Sequence, residues 1–149
     1  MKKLILILLA FILVACSAGG SELSRNQQKW EDANITHYRF ELNISCFCAF
    51  NEQMPLTIEV KDGEVIALAY ADGRVVEAGD PMYEYFTGFA TIDRLFDELK
   101  SAMSGKDAGD ITVQYDASLG YPTEANIDYI KNAVDDELYV TVAGFEALP

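Results

Sequence analysis

Basic residues and histidine are scarce in this sequence. Its 149 residues include 11 Lys and Arg against 24 Asp and Glu, so the formal net charge is -13. A chain this acidic is repelled by the phosphates of nucleic acids, and we therefore exclude nucleic acid as a partner. Histidine occurs only once, at His37. A single histidine cannot supply both a catalytic triad and a metal site.

The common catalytic motifs are absent as well. The sequence contains no G-x-S-x-G, no phosphate-binding loop and no G-x-G-x-x-G. Pairs of carboxylates are so numerous in a chain with 24 acidic residues that no single pair indicates catalysis. We therefore predict a protein that is not an enzyme and that holds no resident cofactor, with calcium as the one alternative considered below.

Apolar runs long enough to span a membrane are also lacking. The longest run, from Leu4 to Val14, is much shorter than the ~18 residues of a membrane span. It follows two lysines and ends in L-V-A-C at residues 13–16, a pattern typical of an export signal. This stretch resembles the lipobox of bacterial lipoproteins, which implies that residues 1–15 are removed and that Cys16 carries the lipid.

The lipobox predicts a location in the bacterial cell envelope, anchored to the membrane through Cys16. Ser17 follows Cys16, at the position where lipoproteins retained in the inner membrane resemble one another in having Asp. Ser17 therefore favours the outer membrane, facing the periplasm, in cells with two membranes. In other cells the protein is expected on the outer face of the cell membrane. Residues 16–22 are small and polar and are predicted to be a tether, and residues 23–149 suit a single globular domain.

Apolar and polar residues alternate in two groups of segments, which is the period of a β-strand. The first group covers residues 37–45 and 56–70, and Asp62-Gly63 within it is a strong hairpin signal. The second group covers residues 110–116, 123–130 and 137–145. Each group is predicted to form a three-stranded antiparallel meander.

Two helices are predicted beside these strands. Residues 91–105 carry apolar side chains at helical spacing, with Thr91 as the N-cap and Gly105 after the end. A weaker helical pattern covers residues 23–34. The order α-βββ-α-βββ predicts an α+β fold, in which an antiparallel sheet of about six strands has both helices on one side.

Several motifs occur in a distinctive order along the domain. They include S-C-F-C, V-K-D-G-E-V, T-I-D-R-L-F, Y-D-A-S-L-G-Y-P and N-A-V-D-D-E. Together they resemble a family of bacterial lipoproteins and secreted proteins catalogued as a domain of unknown function. The resemblance covers residues 30–146 and implies an envelope location and a single domain, but it supplies no activity that can be transferred.

Cys46 and Cys48 stand one residue apart just after the first predicted strand. Residues i and i+2 of an extended strand lie about 6.6 Å apart with nearly parallel side chains, too open for a disulfide. A bridge therefore requires the backbone to bend here. Because an oxidising exterior favours the pairing of neighbouring thiols, we predict an intramolecular disulfide.

Three other roles for these cysteines stay open. They could be free core thiols, a thiol-redox pair, or ligands of zinc or copper(I) in a shell completed by His37 or Met54. The C-x-C spacing matches neither a zinc module nor the C-x-x-C redox motif. For His37, an ordinary place at the edge of the sheet is the favoured interpretation.

Oxygen-bearing side chains cluster between the last two predicted strands. The candidate calcium ligands there are Asp128, Asn132, Asp135, Asp136 and Glu137. Calcium takes six to eight oxygen ligands, but this spacing matches no EF-hand loop. Asn and Asp also stabilise turns through their own backbone, and we favour turn chemistry in a solvated acidic loop.

A long predicted connection, G-D-P-M-Y-E-Y-F-T-G-F, is rich in aromatic residues. The candidate binding residues within it are Tyr83, Tyr85, Phe86 and Phe89. Aromatic side chains on a loop can line a ligand groove or a protein contact, although more often they fold back over the core.

The sequence therefore predicts a lipid-anchored, non-catalytic envelope domain that binds a partner, for which another envelope protein is a candidate, or braces an assembly. The alternative from a different class is a metal-binding or thiol-redox protein that uses the acidic loop or the C-x-C.

Overall fold

The computed structural model describes residues 18–149, with side chains from Glu22 onward. The predicted signal peptide and the predicted lipidation site Cys16 lie outside the described residues. The helices are α1 (Ala18–Ala33), α2 (Tyr83–Thr87) and α3 (Ile92–Ser104). The strands are β1 (His37–Ser45), β2 (Leu56–Lys61), β3 (Glu64–Ala69), β4 (Ile111–Tyr115), β5 (Pro122–Asp128) and β6 (Glu137–Ala147).

The six strands form one antiparallel sheet in the order β3-β2-β1-β6-β5-β4. Both predicted meanders are confirmed, and the pairing of β1 with β6 joins them. Ser45 pairs with Tyr139 at one end of this central pair, and Tyr38 pairs with Ala147 at the other. We call the end near Ser45 the open end of the sheet and the end near Tyr38 the closed end.

One face of the sheet carries the hydrophobic core, as the alternation of residues predicts. The inward side chains of β1 are Tyr38, Phe40, Leu42 and Ile44, all buried. The inward side chains of β6, Leu138, Val140 and Val142, are buried beside them. The predicted α+β fold is therefore confirmed.

The helix α3 covers this apolar face. Thr91 caps it, because the Thr91 side-chain oxygen accepts a hydrogen bond from the backbone N–H of Arg94 at 3.1 Å. Its buried side chains, at helical spacing, are Ile92, Leu95, Phe96, Leu99 and Ala102. Gly105 follows its last residue, so both predicted ends of this helix are confirmed.

The helix α1 begins at Ala18 rather than at the predicted Leu23. The prediction of a tether relied on the small and polar character of residues 16–22, and the helix nevertheless contains Gly19 and Gly20, which have low helix propensity. Residues 18–22, expected in the tether, are therefore helical. Within residues 18–149, no helix has both the length and the apolar character needed to cross a membrane.

The strand β3 departs from the predicted pattern at Ile66. Strict alternation through residues 64–70 predicts Ile66 on the core face with Leu68 and Tyr70, which are both buried. The register of β2 and β3 shifts between Glu59 and Val60, and 54% of the Ile66 surface is exposed. The irregularity breaks the alternation, which a period-two pattern does not reveal.

Candidate functional site

Three segments that the sequence singled out separately meet at the open end of the sheet. They are the C-x-C loop (residues 46–48), the aromatic segment around α2 and the loop that joins β5 to β6. Together with Glu98 of α3 they enclose a cleft of about 530 Å³. This volume lies within the ~300–1,000 Å³ that ligand sites occupy.

The sheet topology explains why the C-x-C loop and the β5–β6 loop are neighbours. Because β1 and β6 are antiparallel, the residues after Ser45 lie beside those before Tyr139. Asp128 at the end of β5 pairs with Glu137 at the start of β6, which brings the connecting loop to the same end. The convergence thus follows from the central β1–β6 pair.

The backbone of the C-x-C loop is bent, as a bridge between its cysteines requires. The Cα atoms of Cys46 and Cys48 lie 5.1 Å apart, and their sulfur atoms are in close contact. The Cys48 N–H donates to the Cys46 carbonyl oxygen at 2.7 Å, which closes a tight turn. The side-chain amide of Asn51 donates to the same carbonyl at 3.0 Å. Both hydrogen bonds stabilise the bent conformation of the loop.

Phe50 anchors the C-x-C loop to α2. It is buried, with its ring centroid 5.1 Å from that of Phe86 and 5.3 Å from that of Tyr85. The sequence analysis did not single out Phe50, because it follows the end of β1 and belongs to no periodic pattern.

The aromatic segment is divided between the core and the cleft. Phe86 is completely buried and belongs to the core, and Tyr83 is partly buried outside the cleft. Tyr85 and Phe89 line the cleft, and 36% of the Tyr85 surface is exposed. Two of the four candidate binding residues therefore face the cleft.

Turn chemistry dominates the β5–β6 loop, as favoured from the sequence. Asn132 and Asp135 adopt positive φ angles of 65° and 66°, a conformation that Asn and Asp tolerate. The Asp136 carboxylate accepts a hydrogen bond from the Ile130 N–H at 2.7 Å through Oδ2. Its Oδ1 atom is buried and has no hydrogen-bond partner among the described residues.

The structure does not assemble the predicted metal ligands into one site. Among the residues whose side chains it describes, no three His, Cys, Asp or Glu side chains come together as a metal site would require. Asp128 lines a separate depression with Lys131, and Asn132 does not line the cleft. Only Asp135, Asp136 and Glu137 of the calcium candidates reach the cleft.

His37 lies far from the cysteines and cannot complete a zinc or copper shell with them. It starts the nine-residue strand that ends just before Cys46, and an extended strand rises about 3.3 Å per residue. Its Nε2 atom lies 2.9 Å from Glu59 Oε1, and its Nδ1 atom lies 2.9 Å from the Pro149 carbonyl. His37 is therefore a residue of the sheet, as favoured from the sequence.

Negative charge dominates the cleft. The five carboxylates that line it belong to Glu84, Glu98, Asp135, Asp136 and Glu137. No Lys, Arg or His is found among its described lining residues. The sequence analysis singled out neither Glu84 nor Glu98. Only the aromatic residues of the segment around Glu84 attracted attention, and Glu98 reaches the open end only through the packing of α3 in the folded chain.

Two tyrosines lie close to the Glu98 carboxylate. The Tyr129 hydroxyl donates a hydrogen bond to Glu98 Oε1. Burial, and then this hydrogen bond, raise the pKa of Tyr129. Burial, and then the negative charge of Glu98, raise the pKa of Tyr85. Both phenols therefore stay neutral and can donate hydrogen bonds within the cleft.

Phe47 projects from the C-x-C loop with 84% of its surface exposed. It lines the acidic cleft and also a second depression of about 440 Å³, formed with Ala49 and Asn51. The alternation along β1 indicates this placement. The inward side chains of β1 have even residue numbers, whereas Phe47 has an odd one and therefore belongs to the outward face. Val134 of the β5–β6 loop is similarly exposed, at 81%.

The fold and the cleft define an α+β protein whose candidate site lies at one end of an open antiparallel sheet. Residues 22–147 match the model of a family described as Family of unknown function (DUF6174). The chain belongs to this family. No curated protein and no solved structure matches the chain.

Proposed function

We propose that this protein is a lipid-anchored, non-catalytic binding module of the bacterial cell envelope, and that the cleft at the open end is its binding site. The observation that carries the proposal is the convergence of three segments on one cleft, with the exposed Phe47 at its rim. Exposed aromatic side chains on a fixed backbone are typical anchors of protein contacts.

The proposed anchoring depends on the L-V-A-C segment and on Cys16. We expect a metabolically incorporated fatty-acid probe to label the full chain in cells, and Cys16→Ser to abolish the label. Cys46→Ser with Cys48→Ser is the matched control, because it removes two cysteines and leaves the lipobox intact. Label that persists in the Cys16→Ser chain would contradict the anchoring.

The binding site can be tested by photocrosslinking in cells. A photoreactive phenylalanine at position 47 is expected to form a discrete adduct with an envelope component. The same group at position 66 is the control, because Ile66 is also exposed but lies outside the cleft. Phe89→Ala and Tyr85→Ala should weaken the adduct at position 47, since both residues line the cleft. Identical adducts at both positions would contradict a role for the cleft.

Thiol chemistry is the second candidate function, because Cys46 and Cys48 line the same cleft with their sulfur atoms in close contact. The binding module and the redox protein respond differently to Cys46→Ser with Cys48→Ser. A binding module keeps most of its adduct at position 47, since Asn51 and Phe50 still hold the loop. A redox protein loses its function completely.

A further inference from the structure

We propose that the cleft binds a peptide segment of a partner protein in which a basic side chain stands next to an apolar one. This inference rests on the proposed function, because it names the ligand class of the same cleft.

The negative charge of the cleft favours a ligand that carries a positive charge. Five carboxylates share a space of about 530 Å³ without a basic side chain among the described lining residues. A guanidinium or an ammonium group that enters the cleft is attracted by these carboxylates. The net charge of -13 further attracts a basic ligand over longer distances.

The exposed carboxylates of the cleft provide acceptors for such a group. Glu84, Asp135 and Glu137 are exposed and line the cleft. The Asp136 carboxylate accepts from the Ile130 N–H through Oδ2, and its Oδ1 atom is buried, so Asp136 adds negative charge to the cleft rather than a contact atom. A charge-assisted hydrogen bond from a basic side chain to an exposed carboxylate is the strongest form of this contact.

The remaining lining favours an apolar or aromatic group beside the cation. Phe47, Tyr85, Phe89 and Tyr129 contribute four aromatic side chains to the cleft. A guanidinium stacks well on the face of an aromatic ring, and apolar groups contact the same rings. The combination of carboxylates and rings therefore selects a ligand that carries both chemistries.

The shape of the surface favours an extended ligand. Phe47 stands between the acidic cleft and the second depression of about 440 Å³, and both share the two cysteines. A small cation would fill only one of these depressions. A peptide can lie across Phe47 and place a basic side chain in the cleft and an apolar one in the depression beyond.

Calorimetric titration of the full chain in a non-ionic detergent tests the ligand class. The probe is the acetylated, amidated peptide Leu-Arg-Trp-Arg-Leu, compared with Leu-Glu-Trp-Glu-Leu and with Gly-Arg-Gly-Arg-Gly. We expect measurable binding of the first peptide and at least about tenfold weaker binding of the other two. Spermine serves as the cation without a peptide backbone and should also bind more weakly.

Asp135→Asn with Asp136→Asn tests the carboxylates. Asparagine tolerates the positive φ at position 135 and keeps an acceptor oxygen at position 136, so the loop is preserved. Binding of the first peptide should weaken by about threefold to tenfold. Glu31→Gln with Glu64→Gln removes the same charge from exposed sites outside the cleft and should leave binding within about twofold.

A second pair of substitutions controls for a change in the structure of the β5–β6 loop. Glu84→Gln with Glu98→Gln changes no residue of that loop and keeps an acceptor oxygen for the Tyr129 hydroxyl, so it should weaken binding to a similar extent. Phe47→Ala removes the aromatic contact and should weaken binding of the first peptide by about tenfold. Because Phe47 is exposed, the folded core is unaffected.

The outcomes separate the ligand class from the site. If the substitutions in the cleft and the control substitutions Glu31→Gln with Glu64→Gln weaken peptide binding equally, the peptide is attracted only by the net charge of the protein, and the inference is overturned. Tight binding of spermine would overturn the peptide class. If the acidic peptide binds and Phe47→Ala abolishes that binding, the inference of a basic ligand is overturned, but the cleft is still a binding site. Absence of any Phe47-dependent binding would overturn the inference and count against the proposed function as well.

Discussion

The closed and open ends of the sheet are built in opposite ways, although the strand β1 connects them. At the closed end Trp30 is buried, and its indole N–H donates to Asp93 at 3.2 Å. The Trp30 ring makes edge contacts with the rings of Tyr38, Tyr121 and Phe145. At the open end the aromatic Phe47 is exposed instead.

The charged groups differ in the same way. Near the closed end His37 contacts Glu59 at 2.9 Å, and Arg39 contacts Glu146 at 2.7 Å. At the open end five carboxylates line the cleft with no basic side chain among its described residues. The side chains of the closed end are thus satisfied within the chain and stabilise the fold. At the open end, Glu84, Asp135 and Glu137 are exposed to solvent, whereas Glu98 and Asp136 accept hydrogen bonds from Tyr129 and Ile130.

Truncation of one phenylalanine of β1 and one of the C-x-C loop should give the largest difference in the free energy of unfolding. Phe40→Ala removes a fully buried ring from β1 and should lower the free energy of unfolding by ~3–5 kcal/mol. Phe47→Ala should change it by less than ~0.5 kcal/mol, because the ring is exposed. Urea unfolding of the full chain in a non-ionic detergent measures both. Equal losses would contradict the division into a stabilising end and a binding end.

Gly120 tests the packing of α1 at the closed end. Its φ is +81°, and an added Cβ would overlap the Asn26 carbonyl oxygen and lie 2.8 Å from Lys29 Cβ. Gly120→Ala should therefore cost ~2–4 kcal/mol of unfolding free energy. Gly63→Ala is the matched control, with the same φ of +81° but no atom within 4 Å, and should cost only ~1 kcal/mol. A similar cost at both positions would show that α1 does not pack as described.

The C-x-C loop should contribute less to stability than the buried ring of Phe40 or the close packing at Gly120. A bridge that closes a loop of three residues stabilises by at most ~1.6 kcal/mol in the chain-entropy model. Cys46→Ser with Cys48→Ser should lower the free energy of unfolding by about that amount or less. Intact mass of the denatured chain should rise by two hydrogens on reduction. An unchanged mass with free thiols would rule out the bridge.

His37 should give the smallest effect, which depends on pH. The hydrogen bonds to Glu59 and to the Pro149 carbonyl raise the pKa of His37 above its ordinary value of 6.5. A raised pKa in the folded state stabilises the protein below pH 6.5, and this contribution is lost as pH rises through the folded pKa. The wild type should therefore exceed Glu59→Gln in stability at about pH 5.5 more than at about pH 8.5.

An NMR titration of the imidazole checks this expectation directly. The pKa of His37 should lie above 6.5 in the wild type and fall in the Glu59→Gln chain. His37 is the one histidine of the sequence, so its signal needs no assignment by mutation. A value at or below 6.5 in the wild type would contradict the contact with Glu59.

The elements of this fold were largely predictable, because their signals are local. Residues 37–45 alternate along the whole of β1, and Thr91 and Gly105 mark both ends of α3. Ile66 was misplaced because an irregularity of the strand pairing has no periodic signature. The early start of α1 was missed because residues 18–22 are small and polar, which is also the composition of a flexible tether.

The cleft was predictable only in its parts. The sequence singled out the C-x-C, the aromatic segment and the acidic loop, but it gave no reason to place them together. Their convergence depends on the pairing of β1 with β6 and on the contact of Phe50 with Phe86, which join distant parts of the chain. Glu98 was missed for the same reason, since only the packing of α3 brings it to the open end.

Radical footprinting of the full chain in living cells tests most directly whether the cleft is occupied in the envelope. Oxidation of Phe47 is compared with oxidation of Ile66, which is also exposed but lies outside the cleft. The account predicts that Phe47 is oxidised severalfold less in cells than in the purified chain, while Ile66 is oxidised equally in both. Equal oxidation of Phe47 in cells and in the purified chain would contradict a binding function for the open end.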